Sequence, residues 1–379
     1  MTMDAGIDSP LGTVAVVVPT HGRAPLVEQL LVSLDHARVR FSGEVEVLIV
    51  DSSSGEQRER IARACTNHSA RHLTGPLNVR QKRNLGAQAT AADHLAFVDS
   101  DCRVTPDFFV RHAEALARTP MAAGSVGLTQ FTGPETWVSR LVSLTPFVDA
   151  FSFAETMDFV PWSTMTNIVL PRSDFHGVGG FDEDFPFRLG GDDVDLTWRL
   201  TVSGTVLVAA PDAVVHHDRA TWSRLRDVFG RVWRWGRVDH HLERKHPAQL
   251  VRTVPRMPAW LLLLAGAMFM QVAQSWGTAS TGALLLGVLA VAVAERRVEP
   301  SPRPPWVARP LISGLRLLFS AGRGFEAIRR GRLPSPFRRL VFDHPAFPGD
   351  VNLRWQLEPA AQAAWSWVIG LVTLMLVGA

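Results

Sequence analysis

The stretch His94-Leu95-Ala96-Phe97-Val98-Asp99-Ser100-Asp101 ends a short apolar run in two carboxylates one residue apart. It follows a helix-patterned segment, Gln81 to Ala92, so the run reads as a strand buried in a parallel sheet. Ligands of open α/β sheets sit at the carboxyl ends of the strands. Paired hard oxygen donors there suit Mg²⁺ or Mn²⁺ carrying a phosphorylated ligand, which makes a nucleotide site the first expectation. Spacing alone does not single the pair out, because Asp-x-Asp recurs at Asp182/Asp184 and Asp193/Asp195. The competing reading is a solvated turn, where Asp is favoured for its own hydrogen bonding.

Outward from that strand the same alternation continues. Thr13 to Pro19 is a β-branched run closed by proline, and Leu26 to Leu34 has helical spacing with Leu30, Leu31 and Leu34 inward. Val45 to Val50 is a second strand, closed by Asp51-Ser-Ser-Ser-Gly55, and a helix follows over roughly Glu56 to Thr66. Strands alternating with helices predict a right-handed, doubly wound parallel sheet. The middle is less regular: Asn167 to Pro171, a glycine- and acid-rich loop from Gly177 to Gly191, and a helix from Asp192 to Ser203 stopped by Gly204. Val206 to Ala209 reads as the final strand.

The 379 residues suffice for one large α/β domain and an appendage. The net charge of +3 is unevenly spread: between Ser301 and Leu340 the only acid is Glu326, against nine arginines. Such a segment suits an anionic membrane surface or phosphate-bearing acceptors, and no nucleic-acid reader motif is present to argue otherwise. Cys65 and Cys102 form neither a disulfide framework nor a zinc pattern, as fits a reducing cytosol. Met1 to Gly12 lacks the basic and apolar regions of a signal peptide. Tyrosine is absent, so stacking on a base or sugar falls to Trp, Phe or His.

Trp222 to Leu242 is amphipathic, with Leu225, Val228, Phe229, Val232 and Val238 on one side and Arg224, Arg231, Arg234 and Arg237 opposite. An ordinary surface helix and a helix contacting acceptor or membrane are both open readings. Pro258 to Ala294 carries no charge, enough for two short spans joined near Gly277 to Gly282. Arginines on both flanks predict a hairpin with both ends in the cytoplasm. Ala363 to Ala379 is a third apolar stretch, and Val307 to Phe325 is expected along the membrane surface. A buried helical subdomain is the alternative for all of these.

Four segments stand in order: VVVPTHGR (Val16 to Arg23), LIVDSSS (Leu48 to Ser54), RNLGAQATAADHLAFVDSD (Arg83 to Asp101) and GGFDEDFPFRLGGDDVDLTWRL (Gly179 to Leu200). Together they resemble the family 2 glycosyltransferases, over roughly Val14 to His217. The resemblance implies an α/β, Rossmann-like mixed sheet of the GT-A (nucleotide-diphosphosugar transferase) fold, followed by a C-terminal membrane-associated helical region. It implies that Pro19, Thr20 and Arg23 border the nucleotide and that Asp51 hydrogen-bonds its base; Ser52 stands where the family often has a second acid. Lys82 and Arg83 are then charges for the diphosphate, beside Asn84, although helix-start structure competes for Arg83 and Asn84. Asp99 would contact ribose or metal, and Asp101 would coordinate Mn²⁺ or Mg²⁺, a Lewis acid for the departing nucleoside diphosphate.

In Gly190-Gly191-Asp192-Asp193-Val194-Asp195 the resemblance is to a Glu-Asp-x-Asp element, with Asp192 in the Glu position. It makes Asp193 the general base, with Asp192 its rival. Both also stand at a helix start, where capping and the dipole alone favour carboxylates. His217, rather than His216, fits a histidine that reaches metal or phosphates. Trp162 and Phe181 are candidates for the sugar or acceptor pocket, with core packing the alternative for Phe181. Arginines, Gly236 and His246-Pro247 before the apolar hairpin are similar to glycosyltransferases associated with mycofactocin maturation.

The expected organisation is a flexible N-terminus (1–12), a GT-A catalytic domain (13–217), an amphipathic basic helical region (218–256), a membrane hairpin (257–295), a basic cytoplasmic or interfacial segment (296–362) and a third apolar span (363–379). The expected activity is an inverting, metal-dependent sugar transfer from a nucleotide-diphosphosugar to a glycan, lipid or small peptide-derived hydroxyl. The expected location is the cell membrane, multi-pass, with the catalytic domain in the cytoplasm. A polyprenyl-phosphate sugar synthase and a non-catalytic nucleotide-sugar-binding membrane protein are the alternatives.

Overall fold

Val14 to Val18 are all buried, because the strand that holds them is covered on both faces. The computed structural model describes residues 11–185, 190–202, 204–247, 250–253, 309–332 and 339–342, with isolated positions 268 and 281. These fall into two compact units, Met1–Ser139 with Pro146–Ser223 and Arg140–Thr145 with Arg224–Ala379.

In the first unit, β1 (Thr13–Thr20), α1 (Ala24–Arg40), β2 (Glu44–Asp51), α2 (Gly55–Asn67), β3 (Arg71–Thr74), α3 (Val79–Gln88) and β4 (His94–Phe97) alternate. β1 pairs in parallel with β2 on one side and β4 on the other, and β2 with β3. Side chains alternate along β1. Val14, Val16 and Val18 join Leu30, Leu31, Leu34 and Ile61 in one core layer. Ala15 and Val17 join Leu95, Phe97, Phe175 and Phe181 in the other. Leu11 is buried in the first layer, so the described end of the expected flexible N-terminus is core.

α3 begins at Val79, two residues before the expected start, because the Asn78 side chain accepts from the Arg80 amide as its cap. A Cβ at Gly86 would lie 2.4 Å from Val17 Cγ1. That close approach seats α3 directly on β1.

Beyond β4 come β5 (Cys102–Val104), α4 (Phe108–Arg118), β6 (Ala122–Thr132), α5 (Trp137–Val142), α6 (Phe153–Thr156), β7 (Phe159–Val160), β8 (Ile168–Pro171), α7 (Arg172–Gly177), α8 (Asp192–Thr201) and β9 (Val206–Asp218). The sheet order is β3-β2-β1-β4-β8-β6-β9-β5, with β7 also on β9. Here the doubly wound parallel expectation is corrected: β8 runs antiparallel to β4 and β6, and β5 antiparallel to β9. Between β6 and β8 the chain makes short helices rather than a crossover helix, so the strands reverse. The result is the mixed sheet that the family resemblance implied.

β9 extends far beyond the expected Val206 to Ala209. Its pairing with β6 jumps from Gly127↔Ala210 to Leu128↔Val214, which puts Pro211 in a bulge where its missing N–H costs no ladder bond. Asn167 fixes the bulge: its amide nitrogen donates to the carbonyls of Leu128 (2.9 Å) and Ala213 (2.8 Å). His112, fully buried and pushed down to about 4 by burial, sits between Ser125 Oγ at 2.8 Å and Asn167 Oδ1 at 2.9 Å. This neutral bracket holds the second half of β9 in place.

In the second unit, α9 (Leu225–Lys245) packs on α10 (Arg309–Arg329), and β10 (Leu250–Thr253) pairs antiparallel with β11 (Arg339–Phe342). A Cβ at Gly236 would lie 2.0 Å from the Phe319 carbonyl oxygen, and one at Gly322 2.5 Å from that of Trp233. Glu326, fully buried, accepts from Arg330 (2.8 Å) and Arg237 (2.9 Å) and lies 3.2 Å from His241. Burial alone would raise its carboxyl, but those three partners hold it down at about 2. Val228, Val232 and Val238 are buried as expected, while Phe229 is largely exposed. The expected spans, Pro258 to Ala294 and Ala363 to Ala379, lie outside the described residues apart from positions 268 and 281, and among the described residues no helix is long and apolar enough to cross a membrane.

Gly127 has Asn167 and the Ala213 carbonyl 2.3 Å from where a Cβ would stand. Gly127→Ala should therefore cost about 1–3 kcal/mol of stability, read by denaturant unfolding of the full chain.

Candidate active site

The carboxyl ends of β1, β2 and β4 bring Thr20, Asp51 and the Asp99–Asp101 turn to one edge of the sheet. Asp101 is nearly buried, and its Oδ2 receives Arg23 Nη1 at 2.6 Å. Its Oδ1 lies 3.5 Å from His217 Nε2. His217 Nδ1 stands 2.8 Å from the Asp218 carbonyl, which can only accept, so Nδ1 carries a proton. Nε2 is left to face the Asp101 carboxylate. A cation satisfies that arrangement.

The ligand atoms of Asp101, Cys102 and His217 lie within 4.8 Å of one another. Burial, with the Asp99 and Asp101 carboxylates, pushes the Cys102 thiol well above its usual range. The carboxylate and the imidazole, rather than a soft thiol, are donors that fit Mn²⁺. The β5–β9 register pairs His217 with Cys102 and His216 with Arg103, so the two histidines point to opposite faces. His217 faces Asp101; His216 does not.

Asp99 turns instead to Arg83, whose Nη2 is 3.0 Å from its Oδ1. Burial raises the Asp99 carboxyl against the opposing pull of Arg83. Arg83 Nη1 donates to Asp192 Oδ2, also at 3.0 Å. Arg80 adds a second cation, its Nη2 3.7 Å from Asp192 Oδ1. Asp192 is thus buried with cations on two sides. Its neighbour Asp193 keeps partial access to solvent yet is surrounded by protein. Burial and the adjacent Asp192 charge push the Asp193 carboxyl up to about 7.

Four expected nucleotide contacts are buried beneath this surface. Asp51, its side chain fully buried, accepts from the Ser53 amide at 2.8 Å and from the Ser53 hydroxyl, and lies 3.2 Å from His72 Nε2. These bonds anchor the loop after β2. The Lys82 ammonium, expected at the diphosphate, donates to the Thr20 carbonyl and is lowered by burial. Thr20 donates to the Gly22 carbonyl at 3.1 Å, and Pro19 is buried in β1. Asn84 clamps the acid-rich loop, donating to the Phe181 carbonyl (2.9 Å) and Glu183 Oε1 (2.8 Å). Phe181 is core, and Trp162 is half-buried against Phe153. Asp182 accepts from the Asp184 amide in a turn, and Asp195 pairs with Arg199 inside α8. Arg80 escaped the sequence reading; its signal is the three-residue spacing to Arg83, which puts both on one helix face.

The mixed sheet and the carboxylates at its strand ends define a GT-A-like fold. The mannosyltransferase PcManGT from Pyrobaculum calidifontis, solved with GDP-Man and Mn²⁺, shares that fold with TM-score 0.56 and 18% identity, over 84% of this chain and 87% of that one. Residues 15–177 match the model of Glycosyl transferase family 2, so this stretch of the chain is a domain of that family. The Pre-mycofactocin glycosyltransferase of Mycobacterium tuberculosis is 30% identical over 67% of this chain and 53% of its own length. Validoxylamine A glucosyltransferase of Streptomyces hygroscopicus subsp. jinggangensis is 26% identical over 65% of this chain and 64% of its own. The chain thus spans about half the length of the first relative and somewhat under two thirds of the second.

Removing the Asp192 charge strands Arg80 and Arg83 in the interior. Asp192→Ala should cost about 3–5 kcal/mol in denaturant unfolding, while Asp193→Asn should leave stability little changed.

Proposed function

We propose that this protein is an inverting, metal-dependent glycosyltransferase acting from a nucleotide-diphosphosugar onto an acceptor hydroxyl. The observation that carries the reading is the Arg83 guanidinium, held at 3.0 Å from both Asp99 and Asp192, which ties the donor-side carboxylates to the loop bearing Asp193. Asp101 and His217 would hold Mn²⁺ or Mg²⁺, with Asp99 at the ribose or the metal. When bound, the cation neutralises the charge that gathers on the departing nucleoside diphosphate. Asp193 takes the proton of the acceptor hydroxyl; the freed oxygen pair forms the new bond at the anomeric carbon as the bond to the diphosphate breaks on the opposite face. Asp192, paired with two arginines, fixes the start of α8 and so the direction of Asp193.

The named relatives concern pre-mycofactocin and validoxylamine A, and their likeness supports a glycan, lipid or small peptide-derived acceptor rather than nucleic acid. We place the protein at the cell membrane, multi-pass, with its catalytic domain in the cytoplasm. The uncharged Pro258 to Ala294 stretch between arginines supports this, as do exposed Leu317, Phe325 and Ile328 beside Arg329, Arg330 and Arg332.

Release of nucleoside diphosphate from UDP-, GDP- and dTDP-sugars, with Mn²⁺ and a panel of acceptors, tests the activity. Because Asp193 works only when deprotonated, kcat/KM should rise with pH through about 7 and level off above it. Asp193→Asn should lower turnover by about 10²–10⁴-fold. Full turnover in that variant would instead favour a polyprenyl-phosphate acceptor, which needs no base, and binding without release would favour the non-catalytic alternative. Full-length protein should sediment with anionic vesicles, and Phe325→Asp should weaken that association.

A further inference from the structure

The turn after β1 does something the nucleotide-contact expectation did not include. Arg23 caps α1 in the left-handed region at φ 62°, directly after Gly22 at φ 70°. A non-glycine residue holds that conformation only when its surroundings fix it. Here they do. The Gly22 amide donates to Ser53 Oγ at 2.6 Å, the Ser53 hydroxyl donates to buried Asp51, and the Ala24 amide donates to Gln57 Oε1 at 3.0 Å. The Asp51–Ser53 pair therefore clamps the turn that aims Arg23.

The aim is at Asp101. The Arg23 side chain is 47% exposed, while the Asp101 side chain it meets is 7% exposed. A nearly buried carboxylate needs a counter-charge, and Arg23 Nη1 at 2.6 Å supplies it. That same carboxylate turns its other oxygen to His217 Nε2. A divalent cation arriving between them meets a positive group already bonded to its principal ligand, and that group has open solvent to retreat into.

We infer that Arg23 is a resident counter-cation of Asp101, released to an anionic diphosphate when the divalent cation takes its place. The inference rests on the cation reading of Asp101 and His217. Arg23 thus acts as a positioning residue that makes cation and diphosphate binding mutually dependent. The cation alone is opposed by Arg23; with a diphosphate present, the displaced guanidinium finds a new partner.

Mn²⁺ binding to the full-length protein, followed by electron paramagnetic resonance with and without inorganic pyrophosphate at matched free Mn²⁺, tests this. Arg23→Gln should bind Mn²⁺ alone about tenfold more tightly than wild type, the loss of one competing charged hydrogen bond. Pyrophosphate should tighten Mn²⁺ binding in wild type and much less in the variant. Ser53→Ala keeps the guanidinium but loosens its tether, so its affinity should fall between the two. Equal Mn²⁺ affinity in wild type and Arg23→Gln, both folded by thermal melting, overturns the role of Arg23 alone. No Mn²⁺ binding by either protein, even with pyrophosphate, overturns the cation reading and this inference with it.

Discussion

The guanidinium of Arg83 lies between two carboxylates from distant parts of the chain, Asp99 at the end of β4 and Asp192 at the start of α8. In a buried setting each charge is tolerable only because the others are there, so the three fix one another's positions. Arg83 can reach both only because α3 lies flat on β1, and Gly86 against Val17 permits that approach. One turn earlier on the same helix, Arg80 supports Asp192 from the other side. Asn84, the next residue along, ties down the loop that leads to α8. A single ten-residue helix thus orders both sides of the candidate site.

A second constraint places Asp101 against His217. Asp101 is local to its strand, but His217 arrives at the end of a long β9 whose bulge is held by Asn167. That bracket has no charge, and its histidine is kept neutral by burial. It supplies rigidity where a charged network would disturb the carboxylates nearby. Asp193 and the Asp101–His217 pair are therefore positioned by different means, one ionic and one neutral.

The arginine excess of the C-terminal half also divides once the structure is seen. In the second unit Arg237 and Arg330 serve the buried Glu326, and Arg323 serves Glu243 and Asp239. These charges hold two helices together at a glycine-lined contact, which is the buried-subdomain reading for that helix pair. Arg329 and Arg332 stand on exposed positions, Arg329 with its guanidinium 3.9 Å from the same Glu326.

The order of chemistry-bearing segments was legible because it is local. A β-branched run reads as a buried strand, an acid pair after it stands at a strand end, and Asp192 begins a helix after two glycines. Those features pointed to an α/β fold with a parallel sheet and to Asp99 and Asp101 at a strand end, while the mixed sheet and the roles of Asp192, Asp193 and His217 came from the family resemblance. Only the tertiary structure decided which of them share a partner. Arg80, silent in the sequence, becomes a counter-charge because it is buried beside Asp192. Asp51 and Lys82, prominent in the sequence, turn inward as supports. The physical reason is that a side chain's type is set by its codon, but its electrostatic role depends on burial and on partners contributed from elsewhere in the chain, and periodicity along one strand or helix carries no record of either.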